Sequence, residues 1–292
     1  MRHFWLKKNN QIWNLTADNE TNVGGNFFGG PDGLGIKTKI ESFEIEHVTF
    51  IESVKMESVD IEGSLYFNDY EHFANFVAFI GYVETTEPMR LYYSTTDNIN
   101  YGSDDEWYKL VLIKELKKSE IEWKTGCLTC KVKFATLSRW KRDKVITLEL
   151  SPFGNPLVYP YIYPYVYGGT NNIAVEIDNT GNLPTSCIVR IEAETDTPLF
   201  RIIKGGEIVE QAKYNVYIRD GSHMIVNSAP DAQEASIYTG NFREDIYYLG
   251  EKDYTYSNFI TIPEGKSMFL FTATNSQFGR VILQYSLQKE VI

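Results

Sequence analysis

The chain has 292 residues, a formal net charge of −11, and 43% hydrophobic against 23% charged residues. That length favours two domains, because single hydrophobic cores stop growing near about 250 residues. The acidic balance, shared by both halves, argues against a nucleic-acid backbone or an anionic membrane surface as the main partner.

Twenty Tyr, 17 Phe and 5 Trp, together with many Val, Ile and Thr, favour strands, since branched and aromatic side chains suit a pleated, half-buried surface. The opening residues, Met1 to Lys8, lack the apolar segment and cleavage site of a signal peptide. No apolar run is long enough for a membrane-spanning helix. A soluble chain made in a reducing cytoplasm, without membrane insertion, is therefore expected. Three cysteines are too few for a disulfide framework.

Residues 2–8 and 11–15 read as a hairpin around Asn9-Asn10, with Phe4, Trp5, Leu6, Ile12, Trp13 and Leu15 as its apolar members. Residues 21–35 hold six glycines and Pro31, which reads as a long loop. Strand returns over 36–67, with Phe43 and Ile45 and then Val59, Ile61, Leu65 and Phe67 at even spacing. Gly63 marks a bulge or a close backbone approach. A helix is expected over 69–83, capped by Asn68 with Glu71 three residues on. Its apolar face would be Phe73, Phe76, Val77 and Ile80, and Gly81 is placed to end it.

Strands follow at 89–94, 107–116, 126–140 and 147–150. Pro152, Gly154 and Pro156 then read as a boundary between domains 1–152 and 153–292. The second half is strand and turn without a helix, with strands at 173–177, 187–192, 214–218, 224–227, 259–262, 268–272 and 281–287. Short strands at this spacing suggest a β-sandwich. The fold class expected is mainly β.

Motifs for chemistry fail one by one. The glycine-rich loop runs Gly35-Ile36-Lys37, out of register for a phosphate-binding loop. Cys127 and Cys130 have metal-like spacing, but a zinc site needs a second pair, and on a strand they would point to opposite faces. His3, His47, His72 and His223 are scattered. Asp104-Asp105-Glu106 lacks the calcium-loop pattern, and no serine-nucleophile elbow is present. No catalytic, cofactor or metal residues are assigned, and no enzyme is expected.

Tyr159, Tyr161, Tyr163, Tyr165 and Tyr167 alternate along a segment that Pro160 and Pro164 exclude from a central strand. Two readings stand: an aromatic platform for a sugar or protein partner, or an arm latched over its own domain.

Several segments resemble the distal tail protein family of long-tailed phages that infect Gram-positive hosts. They are Asn26-Phe27-Phe28-Gly29-Gly30-Pro31-Asp32-Gly33-Leu34-Gly35, then Gly63-Ser64-Leu65-Tyr66-Phe67 leading into the helix, then Ser138-Arg139-Trp140. The tyrosine arm and Asn179-Thr180-Gly181-Asn182-Leu183-Pro184 complete the set. The resemblance implies a β-sandwich-like N-terminal belt domain with one helix, forming a homohexameric ring in the virion's tail tip. It also implies a C-terminal galectin-like β-sandwich. The implied partners are further copies of the chain, the tail tube protein, a tail-tip protein, and a receptor-binding protein or host surface glycan. No nucleic-acid binding is implied beyond a channel for DNA passage. Phe27, Phe28 and Leu34 on the glycine-rich loop are the candidate subunit contacts, unless the loop folds back over its own sheet. The alternative function is a carbohydrate-binding module of the tail tip.

Overall fold

The structure, a computed structural model, describes residues 2–16, 27–81, 87–96, 105–122, 124, 126–150, 171–246, 253, 255–257 and 259–292. The chain divides into two compact units, residues 1–142 with 289–292, and residues 143–288. The expected boundary at Pro152 to Pro156 and the tyrosine arm, Tyr159 to Tyr167, lie outside the described residues.

The first unit is built from β1 (His3–Lys8), β2 (Gln11–Asn14), β3 (Phe27–Asp32), β4 (Lys37–Ile45), β5 (Val48–Glu57), β6 (Ile61–Phe67), α1 (Tyr70–Ile80), β7 (Met89–Ser94), β8 (Trp107–Ile121), β9 (Leu128–Thr136) and the start of β10 (Trp140–Leu150). Antiparallel pairing joins β2, β1, β7 and β8, and then β9, β6 and β3. The Leu15 amide donates to the Phe4 carbonyl and the Phe28 amide to the Leu15 carbonyl, both at 2.8 Å. These bonds bring β3 back beside the first hairpin, so the strands enclose the unit's main core. Phe4, Leu6, Phe28, Leu65, Phe67, Phe134 and Trp140 fill it.

Helix α1 covers this core with Phe76, Phe79 and Ile80, against which Trp13 packs at 5.4 Å from Phe76 and 5.5 Å from Phe79. The N-cap is Asp69 and not Asn68: its carboxylate accepts the His72 amide at 2.8 Å, which satisfies a free donor of the first turn. Val77, expected inward, is 40% exposed. The buried face includes Phe79 in its place, against which Trp13 packs. Gly81, at φ 72°, ends the helix as expected, in a conformation that favours glycine.

The glycine-rich segment is not irregular throughout. Residues Phe27–Asp32 form β3, paired with β6 through Phe28 opposite Leu65. Gly63 allows this, because a Cβ there would lie 2.4 Å from the Phe28 ring. This is the close approach that the sequence suggested.

The second unit comprises β11 (Asn171–Asn179), β12 (Thr185–Glu192), β13 (Thr195–Asp196), β14 (Leu199–Lys204), β15 (Glu207–Lys213), β16 (Tyr217–Ile218), β17 (Ser222–Asn227), β18 (Glu234–Thr239), β19 (Phe242–Asp245), β20 (Thr261–Ile262), β21 (Gly265–Ala273), β22 (Asn275–Ser276) and β23 (Gly279–Lys289). One sheet runs β11-β21-β14-β15 and a second runs β19-β18-β17-β12-β23; β16-β13-β22 form a small third, and β20 flanks β12. Strict alternation buries one face of each large sheet: Cys187, Val189 and Ile191 on β12, and Phe269, Phe271 and Ala273 on β21. The result is an aromatic sandwich core with Phe200 at its centre, 6.2 Å from Phe269 and 5.9 Å from Phe271.

The Asn179 to Pro184 motif is a structural lock. Asn179 is 1% exposed; its amide donates to the carbonyls of Leu183 at 3.0 Å and Pro263 at 3.2 Å, and its oxygen accepts the Gly181 amide at 3.0 Å.

Candidate assembly surface

The residues singled out for chemistry stay apart. Among the described residues no group of three His, Cys, Asp or Glu is placed to hold a metal. Cys130 is buried in the N-terminal core and its thiol is pushed up to about 11 by burial. Cys127 precedes β9 and is only partly buried. Cys187 is buried in the other unit, with its thiol raised to about 12 for the same reason. High thiol pKa values keep both buried cysteines protonated and unreactive at neutral pH.

The candidate interface residues also separate. Phe28 is 2% exposed, packed edge-on against Phe4 at 5.3 Å and Phe134 at 6.1 Å. Leu34 packs partly buried against the same cluster. The backbone of Phe27 pairs with Tyr66, and its side chain lies outside what the structure describes. Phe28 and Leu34 thus fold back over their own sheet, the second of the two readings open for this segment.

The surface that calls for a partner lies next in the chain. Strands β4 and β5 form a two-stranded sheet that pairs with no other described strand. Their turn is Glu46-His47, both with positive φ, at 47° and 67°, closing between Ile45 and Val48. Two positive φ values in a two-residue loop match the right-handed twist of the flanking strands. Ile40, Phe43, Ile45, Val48, Phe50, Ile51, Val54 and Met56 are all exposed, between 36% and 66%. An isolated two-stranded hairpin is marginal in water. An exposed apolar ribbon of this kind marks an interaction site or an aggregation hazard.

The register shows how the apolar residues are arranged. Lys37 pairs with Glu57, Lys39 with Lys55 and Glu41 with Ser53, all on one face. Between Glu41 and Ser42 the register shifts, leaving Glu52 as the extra residue of a bulge. Beyond it, that same face carries Phe43 opposite Phe50 and Ile45 opposite Val48. The other face does the reverse: Ile40, Val54 and Met56 near the root, then Ser42, Glu44 and Thr49 toward the tip, with Ile51 opposite Ser42 just past the bulge. The bulge therefore exchanges the polar and apolar faces halfway along the ribbon.

At the root the polar face is held by Lys37 to Glu57 at 2.8 Å and Lys39 to Glu41 at 3.0 Å, with Ser53 donating to Glu41 at 2.9 Å. Hydrogen bonds from Lys39 and Ser53 draw the Glu41 carboxyl below its ordinary range. Such exposed pairs fix side chains more than they stabilise the fold. At the tip, Phe43 and Phe50 stack at 5.4 Å and 17°.

A mainly β chain whose marked surface is an unpartnered ribbon presents a surface suited to assembly, and comparison with known proteins points the same way. Residues 4–137 match the family described as "Distal tail protein, N-terminal domain". The match covers nearly all of the N-terminal unit and marks the protein as a structural component of the phage distal tail or baseplate hub, a virion protein. A chain of the phage P2 baseplate in its activated conformation with calcium is 12% identical, with all of both chains covered and a TM-score of 0.57. The strontium form of that baseplate gives 13% identity, full coverage of both chains and 0.57. The SPP1 Dit (gp 19.1) protein, described as a paradigm of hub adsorption apparatus in Gram-positive infecting phages, gives 11% identity and 0.56, covering 97% of this chain and 98% of its own. At such identities the likeness is one of fold. No curated protein sequence matches.

Proposed function

We propose that this chain is the hub subunit of a closed ring that joins a phage tail tube to the tail tip, with the β4–β5 hairpin holding each copy to the next. The observation that carries the reading is the face exchange at the Glu52 bulge. A ribbon with apolar residues on one face at its root and on the other at its tip is covered fully only when neighbours pack on both sides. Head-to-tail contacts of that kind close into rings. The number six follows from the family resemblance. So does the assignment of the second unit as a galectin-like sandwich that carries a receptor-binding protein or touches host surface glycan. The carbohydrate-module alternative rests on the C-terminal sandwich and on Tyr159 to Tyr167, which lie outside the described residues.

The test is negative-stain electron microscopy of the purified chain, with its mass from light scattering. A ring of six 33.6 kDa chains around a central channel is the expected result. A monomer at every accessible concentration counts against self-assembly through this hairpin.

A further inference from the structure

The second unit carries an aromatic feature that the ring reading leaves unused. In the small sheet β16-β13-β22, strand alternation turns Thr195, Ile218 and Ser276 inward and buries them. Asp196, Tyr217 and Asn275 therefore face outward. The register sets them in one row, with Asp196 opposite Tyr217 on one side and Asn275 on the other. Tyr217 is 53% exposed, and its hydroxyl donates to the Glu194 carboxylate. The Gln277 amide donates to the Glu194 carbonyl at 2.9 Å, and Phe278, next in the chain, is 67% exposed. Glu194 thus ties the Tyr217 ring to the segment that carries Phe278.

The polar members of the row are set in place before any ligand arrives. Thr197 Oγ1 donates to Oδ1 of Asp196 at 2.9 Å, and Oδ2 takes no hydrogen bond from a described residue. The Asp196 carbonyl accepts the Thr274 amide at 3.0 Å, and the Val216 carbonyl accepts the Thr197 amide at 2.9 Å. Asn275 is exposed, and its side-chain amide has no partner among the described residues. The hydrogen bond to Glu194 raises the Tyr217 phenol above its ordinary range, which keeps it protonated.

Such a row fits a compact, hydroxyl-rich, uncharged ligand. An aromatic ring takes the C–H face of a sugar, a carboxylate accepts from its hydroxyls, and an amide both donates and accepts. Glu194 and Asp196 outweigh Arg219 around the phenol, so a polymer bearing phosphate or carboxylate is repelled. Three strands at ~4.8 Å spacing put the ring and the amide about 10 Å apart, the span of one or two sugar rings. A standard protein interface needs about 800 Å² on each partner, far more than these side chains offer.

We infer that the row of Tyr217, Asp196 and Asn275 binds a neutral sugar, with Tyr217 stacking on its ring and Asp196 and Asn275 bonding its hydroxyls. This rests on the reading of the second unit as one that touches glycan, to which it adds the ligand class and the residues. It does not depend on the ring.

Saturation-transfer NMR and calorimetry on the full-length chain test it with maltose, lactose and N,N′-diacetylchitobiose, and with glycerol phosphate as the anion. At least one of the sugars should bind at about millimolar strength, as suits a shallow site, and glycerol phosphate should not. Tyr217→Ala should weaken that binding by roughly ten-fold or more, while Tyr217→Phe, which keeps the ring, should lose little. Asp196→Asn should weaken it by roughly five-fold. Melting should be unchanged in each variant, since both side chains face outward. Sugar binding that survives both Tyr217→Ala and Asp196→Asn would overturn this site and leave the glycan reading standing. Glycerol phosphate binding more tightly than the sugars would overturn the neutral ligand class. No binding of any of the three sugars would overturn the inference and the glycan reading together, leaving the row to a protein partner and the ring reading untouched.

Discussion

The N-terminal unit contains two long hairpins of similar composition and opposite fate. In β1–β2, Phe4 and Leu6 face the main core, while Trp5 points the other way and stacks on Tyr92 at 5.0 Å. Strand β1 also pairs with β7 along its other edge, which brings Tyr92 beside Trp5. The β4–β5 hairpin has as many large apolar residues, yet every one of them is exposed, because neither of its edges meets another described strand. Hydrophobic content alone does not say whether a strand serves its own core or a neighbour's. What separates the two is whether other described strands pair along the hairpin's edges and bring side chains onto its faces.

The largest expected effects break the comparison from each side. Phe4→Ala should cost about 3–5 kcal/mol of stability, the usual range for removing a buried aromatic side chain, read by chemical denaturation of the N-terminal unit. Phe43→Ser combined with Phe50→Ser should change that stability by no more than about 0.5 kcal/mol, as exposed substitutions do. The same pair should weaken ring assembly by about 2 kcal/mol or more, the scale of an interface hot spot. A hairpin variant that unfolds the unit would show that the ribbon stabilises its own chain and would weaken the assembly reading.

A smaller effect is expected at Gly63. Alanine there meets the Phe28 ring at 2.4 Å, and overpacking of this sort costs about 1–3 kcal/mol. Unchanged denaturation would mean that Phe28 moves aside without loss. This contact also shows what was legible in the sequence. Gly63 and Gly81 announced their roles because a missing side chain has few uses inside a strand or after a helix. The first hairpin was legible too, from Asn9-Asn10 between two apolar runs.

Other features were hidden for identifiable reasons. Asp69 and Asn68 are both good caps, and only the backbone geometry chooses between them. Strand β3 was masked by its glycines, which suit a loop but also admit the close pairing with β6. Strand β14, Leu199 to Lys204, has a run of apolar residues without clean alternation, which a search for period-two patterns passes over. The candidate surface was the least legible. On β4, Ile40 alternates with Lys37, Lys39 and Glu41, while Phe43 and Ile45 fall on the charged face, a change of parity that spacing alone does not explain. The bulge that exchanges the faces becomes visible only once β4 and β5 are in register.

The smallest effect tests whether the hairpin stands ready before it meets a partner. His47 occupies the second turn position at φ 67°, where a residue with a Cβ is strained and glycine is not. His47→Gly keeps Glu46 and gives up only a 3.8 Å contact with the exposed Glu44, worth little in water. Relief of the turn should stabilise the hairpin by about 0.5–1 kcal/mol, less the extra freedom that glycine gives the unfolded chain. Amide exchange across residues 37–57 should slow by roughly two- to five-fold, with the unit's melting unchanged because nothing else leans on the ribbon. Ring assembly should tighten by a similar factor, since a preformed hairpin loses less freedom on docking. Slower exchange without tighter assembly would separate the two hairpins in a different way: the second would be stiff on its own, and ordering it would not be what limits the ring.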